Sequence, residues 1–217
     1  DVLLILGFSG FFAFPLKVFT SKKVIFNIGG IEWKKVRGVQ FFGRVEIFLK
    51  KLFEKICIYF SDIIIVDNKV IQDYVLTVYG KDSFLAEYGG DHAKYEPISD
   101  DLLGEFTFLN NNYDISISRA QTDMNIHIIL NAYIKVKSRN LVVVSNWDTS
   151  NYGRNLKRKF KDKFSNIFLI DAIYDLKKLN VLRSNSNLYI HSHSLCGTAP
   201  SLTEAMFLKL PVICFMV

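Results

Sequence analysis

A chain of 217 residues, half of them hydrophobic and 22% charged, holds one large domain or two small ones and is too apolar to be disordered. The net charge of +6 divides into three blocks: residues 1–60 carry 10 Lys/Arg against 4 Asp/Glu, residues 61–110 carry 3 against 10, and residues 111–217 carry 14 against 7. The basic blocks read either as attraction for anionic lipid or a phosphorylated substrate, or as ordinary solvated surface. The cysteines, Cys57, Cys196 and Cys214, are odd in number and none pairs at metal-ligand spacing. With no Lys/Arg-led leader visible, the expected setting is reducing and cytoplasmic.

In chain order, Val2–Phe14 is apolar but shorter than the ~20 residues that span a bilayer, and Pro15 ends it, so a buried strand running into a helix is expected. Further strands are predicted at 23–28, 62–66, 83–88, 113–118, 141–145, 166–170, 187–191 and 211–215. The continuous β-branched runs at 63–66 and 141–144 suit strands covered on both faces. Between strands lie helical patterns. Over 44–59, Val45, Phe48, Leu49, Leu52, Phe53 and Ile56 recur at helical spacing, with Arg44, Lys50, Lys51 and Lys55 on the other side. Over 123–137 the stripe is Ile126, Ile129, Leu130, Tyr133 and Ile134. Strand–helix alternation predicts an α/β protein with parallel sheets. Pro97, Asp100-Asp101, Gly104 and Asn110-Asn111-Asn112 interrupt the pattern, so two domains are expected, over 1–100 and 101–217. The chain begins with Asp and ends just after an apolar strand, which reads as a fragment.

Ligands of such sheets bind outside the carboxyl ends of the strands. Gly29-Gly30-Ile-Glu32-Trp33 follows one strand; Glu32 and Trp33 read as a polar contact and a stacking ring, or as a capped helix start with a packed aromatic. Asp67-Asn68 follows another and reads as an N-cap. Ser118-Arg119, Asn146-Trp147-Asp148 and Asp171 follow three more. Gly89-Gly90-Asp91-His92 closes the first part. The loop from Ser192 to Ala199 is rich in small and hydroxyl residues and feeds a helix start, whose free N–H groups and dipole suit a phosphate. Glu204 lies one turn inside, placed to hold ribose hydroxyls; Ser201 and Glu204 also have the spacing of a capping box, in which Glu204 would serve its own helix. His191 and His193 have no zinc spacing, no metal site is expected, and no dinucleotide fingerprint, phosphate-binding P-loop or nucleophile elbow is present.

The run His191-Ser-His193-Ser-Leu-Cys196-Gly197-Thr198-Ala-Pro200-Ser201-Leu-Thr-Glu204-Ala-Met, with Leu210-Pro-Val-Ile, resembles the donor-binding signature of retaining family 4 glycosyltransferases of the bacterial rhamnosyltransferase type. Cys196 stands where that type has Gly, and the first Glu of the commoner Glu-x7-Glu pattern is absent. Gly29-Gly-Ile-Glu-Trp-Lys resembles the same family, with Gly29 where many relatives have Asp. The resemblance implies the GT-B fold: two Rossmann-like, doubly wound parallel-sheet domains, here with the N-terminal one incomplete. It implies transfer of a sugar, possibly rhamnose, from a nucleotide-sugar to a saccharide or lipid-linked saccharide of a cell-surface polysaccharide. No cofactor beyond the nucleotide-sugar co-substrate and no nucleic acid is implied. Arg119 and Glu204 take catalytic roles, Arg119 against the donor pyrophosphate or else in a surface salt bridge. Asn125, Asn146, His191, His193, Gly197, Thr198, Ser201 and Glu204 are implied on the donor side, and Gly29, Gly30, Glu32, Trp33, Asp91 and His92 on the acceptor side. The basic helix face is implied to meet the inner face of the cell membrane. The competing expectation is a truncated, non-catalytic nucleotide- or partner-binding module.

Overall fold

A computed structural model describes residues 2–7, 17, 19, 21–35, 41–194 and 198–215, apart from the side chains of Glu32, Lys35, Phe41 and Phe42. The chain forms two compact units, residues 1–88 with 196–198, and residues 89–195 with 199–217. The division falls after Tyr88 rather than at residue 100. Segment 89–99 belongs with the second unit because its backbone is tied there: the Glu96 carbonyl accepts from Asn185 Nδ2 at 2.8 Å, and a Cβ on Gly90 would stand 2.7 Å from the Thr203 carbonyl oxygen.

In the first unit, β1 (Val2–Leu6), β2 (Lys23–Ile28), β3 (Ile63–Val66) and β4 (Phe84–Leu85) form one sheet in that order, every pair parallel. Helices α1 (Phe41–Phe60) and α2 (Lys69–Tyr79) cross between strands. The core is Val24, Phe26 and Ile28 of β2, Ile64 and Val66 of β3, Cys57 and Ile58 of α1, and Ile71 and Val75 of α2. Asn68, with extended backbone, caps α2 by accepting the Ile71 N–H at 3.0 Å, and left-handed Gly80 closes it. The N-cap reading of the 67–68 pair therefore holds for Asn68.

Two expectations change here. The strand predicted over 83–88 is only the two-residue edge β4. On α1, Val45, Phe48, Leu49 and Leu52 are exposed, while the buried side chains are Glu54, Cys57 and Ile58. The helix thus turns a face containing a carboxylate inward, where the Tyr74 and Tyr79 hydroxyls donate to it.

In the second unit, β5 (Tyr113–Ile117), β6 (Asn140–Ser145), β7 (Ile167–Asp171), β8 (Leu188–His191) and β9 (Val212–Cys214) pair in parallel in the order β7-β6-β5-β8-β9. Helices α3 (Asp100–Glu105), α4 (Ile126–Lys135), α5 (Asn151–Phe160), α6 (Leu176–Ser184) and α7 (Pro200–Phe207) connect them. Two apolar clusters form the core, one holding Ile129, Leu130, Trp147 and Phe160, the other Phe108, Ile115, Leu182 and Ala205. The stripe predicted over 123–137 is confirmed in Ile126, Ile129, Leu130 and Tyr133, all buried. The helix begins only at Ile126, because Thr122–Met124 makes a 3-10 turn and Asn125 is left-handed at φ 51°. Buried Asp114 in β5 accepts from Arg139 through both oxygens, at 2.7 and 2.5 Å, and from Tyr133 Oη, which satisfies its charge. Among the described residues no helix is long and apolar enough to cross a membrane.

Candidate functional site

Strands β5, β6 and β7 extend the second sheet in one direction and β8 and β9 in the other, so the strand order reverses between β5 and β8. The loops leaving the two strands at such a point diverge and open a crevice at their carboxyl ends, where ligands of doubly wound sheets bind. Arg119 follows β5; His191 ends β8 and His193 follows it.

The loop carrying Arg119 is held from three sides. Asn146 Oδ1 accepts the Ala120 N–H at 2.8 Å, Ser145 Oγ donates to the Ser118 carbonyl at 2.7 Å, and Ser150 Oγ donates to the Ala120 carbonyl. Gly153 lets α5 approach: a Cβ there would lie 2.2 Å from the Trp147 carbonyl oxygen and 2.7 Å from Ala120 Cβ. Arg119 itself is exposed and, among the described residues, makes no ion pair, so the surface salt-bridge alternative is absent. A preorganised loop presenting an uncommitted guanidinium is suited to an anion.

The rings of His191 and His193 lie with centroids 4.0 Å apart. Burial lowers the pKa of both; that of His193 falls to about 4, with burial as the largest cause and the charges of His191 and Arg119 adding to it against Asp123. Both imidazoles are therefore neutral near pH 7. His193 Nδ1 is buried without a hydrogen-bond partner among the described residues. Asn125 Nδ2 donates to the Ser192 carbonyl at 3.0 Å, and Ser192 Oγ donates to the Met124 carbonyl. Asn125 and Asn146 thus position the loops around the crevice with the very groups that the resemblance assigned to donor contacts.

Glu204, on α7, is 8% exposed and both its oxygens are engaged. Oε1 lies 2.7 Å from His92 Nε2; Oε2 pairs with Arg183 Nη2, whose side chain is 1% exposed and whose Nη1 also donates to Asn180 at 3.1 Å. The capping box does not form: α7 is capped at Ala199, with no side-chain hydrogen bond, and begins with Pro200. Ser201 is half-buried in the first turn of α7. The buried partner Arg183 was not legible in the sequence, where it is one cation in a polar helix.

The remaining residues scatter. Asp91 and His92, implied on the acceptor side, belong to the second unit. Thr198 belongs to the first, where its Oγ1 donates to the Asp67 carbonyl at 3.2 Å. Gly197 and the Glu32 side chain lie outside the described residues. Trp33 does not stack outward: its Nε1 donates to Tyr74 Oη at 3.3 Å, and Lys51 Nζ lies 4.1 Å from its ring centroid. Gly29 and Gly30, the latter at φ 148°, line a cavity of about 410 Å³ at the carboxyl ends of β1 and β2. Among the described residues no group of three or more His, Cys, Asp or Glu could hold a metal.

No family model matches the chain, and no curated protein matches it in sequence. Its fold has many likenesses among solved structures. Sucrose-phosphate synthase from Thermosynechococcus elongatus aligns over 98% of this chain and 55% of its own, at TM-score 0.77 and 15% identity. Anabaena HepE in complex with UDP-glucose aligns over 97% and 59%, at TM-score 0.72 and 12% identity. A protein described as a UDP-N-acetylglucosamine 2-epimerase, from Listeria monocytogenes, aligns over 99% and 57%, at TM-score 0.61 and 15% identity. The chain thus spans a little over half the length of each of these structures. The two parallel α/β sheets and these likenesses show the GT-B fold that the sequence implied, with only the second sheet, whose strand order reverses, doubly wound; at such identities they show the fold alone.

Proposed function

We propose that the chain is the nucleotide-sugar-binding and acceptor-side part of a glycosyltransferase, which moves a sugar from a nucleoside-diphosphate donor to a saccharide. The observation that carries this reading is the crevice between β5 and β8, where two neutral imidazoles converge with Arg119, which makes no ion pair among the described residues. Arg119 holds the diphosphate and stabilises it as it leaves, an electrostatic role worth several kcal/mol in a preorganised site. Glu204 accepts from the ribose hydroxyls with the lone pairs that His92 and Arg183 leave open. His193 Nδ1 gains a partner when the donor is bound. Ser201, at the start of α7, supplies a hydroxyl contact to the phosphates.

The donor sugar proposed is rhamnose and the acceptor a cell-surface saccharide carried on lipid, at the inner face of the cell membrane. Support for the membrane contact is α1, where exposed Phe48 and Leu49 stand beside Arg44 and Lys51. A second reading, a nucleotide-sugar 2-epimerase, draws support from the Listeria likeness. The test is incubation of the chain with dTDP-rhamnose, UDP-glucose and UDP-N-acetylglucosamine, each with and without an oligosaccharide. Saccharide-dependent release of the nucleoside diphosphate supports transfer. A 2-epimeric nucleotide-sugar formed without saccharide overturns it in favour of the second reading. Nucleotide binding without either product leaves the non-catalytic module.

A further inference from the structure

The first unit holds a buried carboxylate that the donor-side chemistry does not use. Glu54 on α1 is 2% exposed. Tyr74 Oη and Tyr79 Oη, both from α2, donate to its Oε1 at 2.5 and 2.7 Å, and Trp33 Nε1 donates in turn to Tyr74. Burial raises the pKa of both tyrosines, and the neighbouring carboxylate raises them further, so both hydroxyls stay protonated and act as donors. Among the described residues no hydrogen bond reaches Oε2.

Glu54 lines the 410 Å³ cavity beside Gly29, Gly30, Asn27, Cys57 and Tyr88, and among the lining residues described it is the only charged one. Among the described lining residues no Lys, Arg or His answers it. Burial pushes the Cys57 thiol up to about 11, so that group stays a neutral wall and is no nucleophile. A buried carboxylate is tolerated when hydrogen bonds satisfy it, and a half-satisfied one favours a ligand that completes the set. This volume falls within the range of small-molecule sites, with apolar walls and a few converging polar groups. The glycine backbone admits a ligand closely. The lone charge decides which: hydroxyl and ammonium donors are welcome, while an anion meets repulsion at low dielectric.

We propose that this cavity takes the terminal residue of an acceptor saccharide that is neutral or carries an amine, gripped by Glu54, and that it rejects a terminal residue bearing a carboxylate or phosphate. The assignment of the ligand as an acceptor rests on the glycosyltransferase reading; the charge selection rests on the cavity itself.

The chain has two tryptophans, which supply a reporter. The Trp33 indole N–H is one hydrogen bond from the Tyr74–Glu54 pair, whereas the Trp147 indole N–H donates to the Ile170 carbonyl in the second unit. Titration of the ¹⁵N-labelled chain with methyl glucoside, glucosamine and glucuronate, followed at the two indole signals, tests the proposal. Methyl glucoside and glucosamine shift Trp33 and leave Trp147 in place; glucuronate binds at least tenfold more weakly. In Glu54→Gln, which keeps the shape and an acceptor for the tyrosines, the three ligands converge to within about threefold. Glucuronate binding as well as methyl glucoside, no ligand shifting Trp33, or an unchanged order in a folded Glu54→Gln chain would each overturn it. Should that variant not fold, the wild-type order decides. A UDP titration in the same sample separates the two claims, since loss of nucleotide binding counts against the glycosyltransferase reading and not against the charge selection.

Discussion

At the carboxyl ends of β1 and β2 the chain presents a carboxylate backed by two tyrosines; at the carboxyl ends of β5 and β8 it presents a guanidinium and two imidazoles held neutral. In the second sheet the crevice lies where the strand order reverses; the first sheet, ordered β1-β2-β3-β4, has no such reversal, and its cavity is lined by residues of β1, β2 and α1. The support differs too. Glu54 is held by two tyrosine hydroxyls, whereas Glu204 is paired with the buried Arg183 guanidinium and bonded to His92, and among the described residues Arg119 makes no ion pair. Topology sets the location in the second unit alone, and the two carboxylates differ in whether hydroxyls or a guanidinium hold them.

The largest effect that sharpens this contrast is in Glu204→Ala. It strands Arg183, 1% exposed, without its counterion, and breaking a buried pair from one side costs about 3–5 kcal/mol. Glu54→Ala strands only two neutral hydroxyls, at about 1–3 kcal/mol. Urea denaturation of both variants measures the difference; equal losses would break the contrast between ionic and neutral support.

Next is Gly153→Ala. Its Cβ has no room against the Trp147 carbonyl, so α5 shifts from the Arg119 loop, costing about 1–3 kcal/mol and weakening nucleotide binding together. Differential scanning fluorimetry beside a nucleotide titration reads both.

A pH-dependent term belongs to the second unit. The folded pKa of His193 is about 4, below the ordinary 6.5, so the unfolded chain binds more protons between these values. The contribution is complete above pH 6.5 and is lost as pH falls toward 4. His193→Gln is expected to flatten that part of the stability profile, measured as urea midpoints from pH 7 to 4.5. The smallest stability change is in Arg119→Gln, within about 0.5 kcal/mol, because the side chain is exposed and unpaired.

Much of this architecture was readable in the chain. The run at 141–144 is buried throughout, as a sheet covered on both faces requires, whereas in 63–66 Ile64 and Val66 are buried and Ile63 and Ile65 only half-buried. The place of Arg119 after β5 and of His191 at the end of β8 followed from the same runs. Glu54 was hidden because periodicity assigned α1 its burial by apolar stripe, while two tyrosines 20 and 25 residues away made a carboxylate the better buried group. His92 and Glu204 are 112 residues apart, and nothing local signals their meeting. The capping box failed because a spacing that fits two structures does not choose between them; Arg183, far in sequence, did.

The most direct test of the donor crevice is calorimetric titration of the chain with UDP, dTDP and GDP, repeated on Arg119→Gln and Glu204→Gln, the latter chosen because its shape keeps Arg183 hydrogen-bonded. One nucleotide binding the wild-type chain, and losing tenfold or more in each variant while both variants stay folded, is the predicted result. Binding of none of the three, or equal binding by both folded variants, would contradict the assignment of the β5–β8 crevice as a nucleotide site.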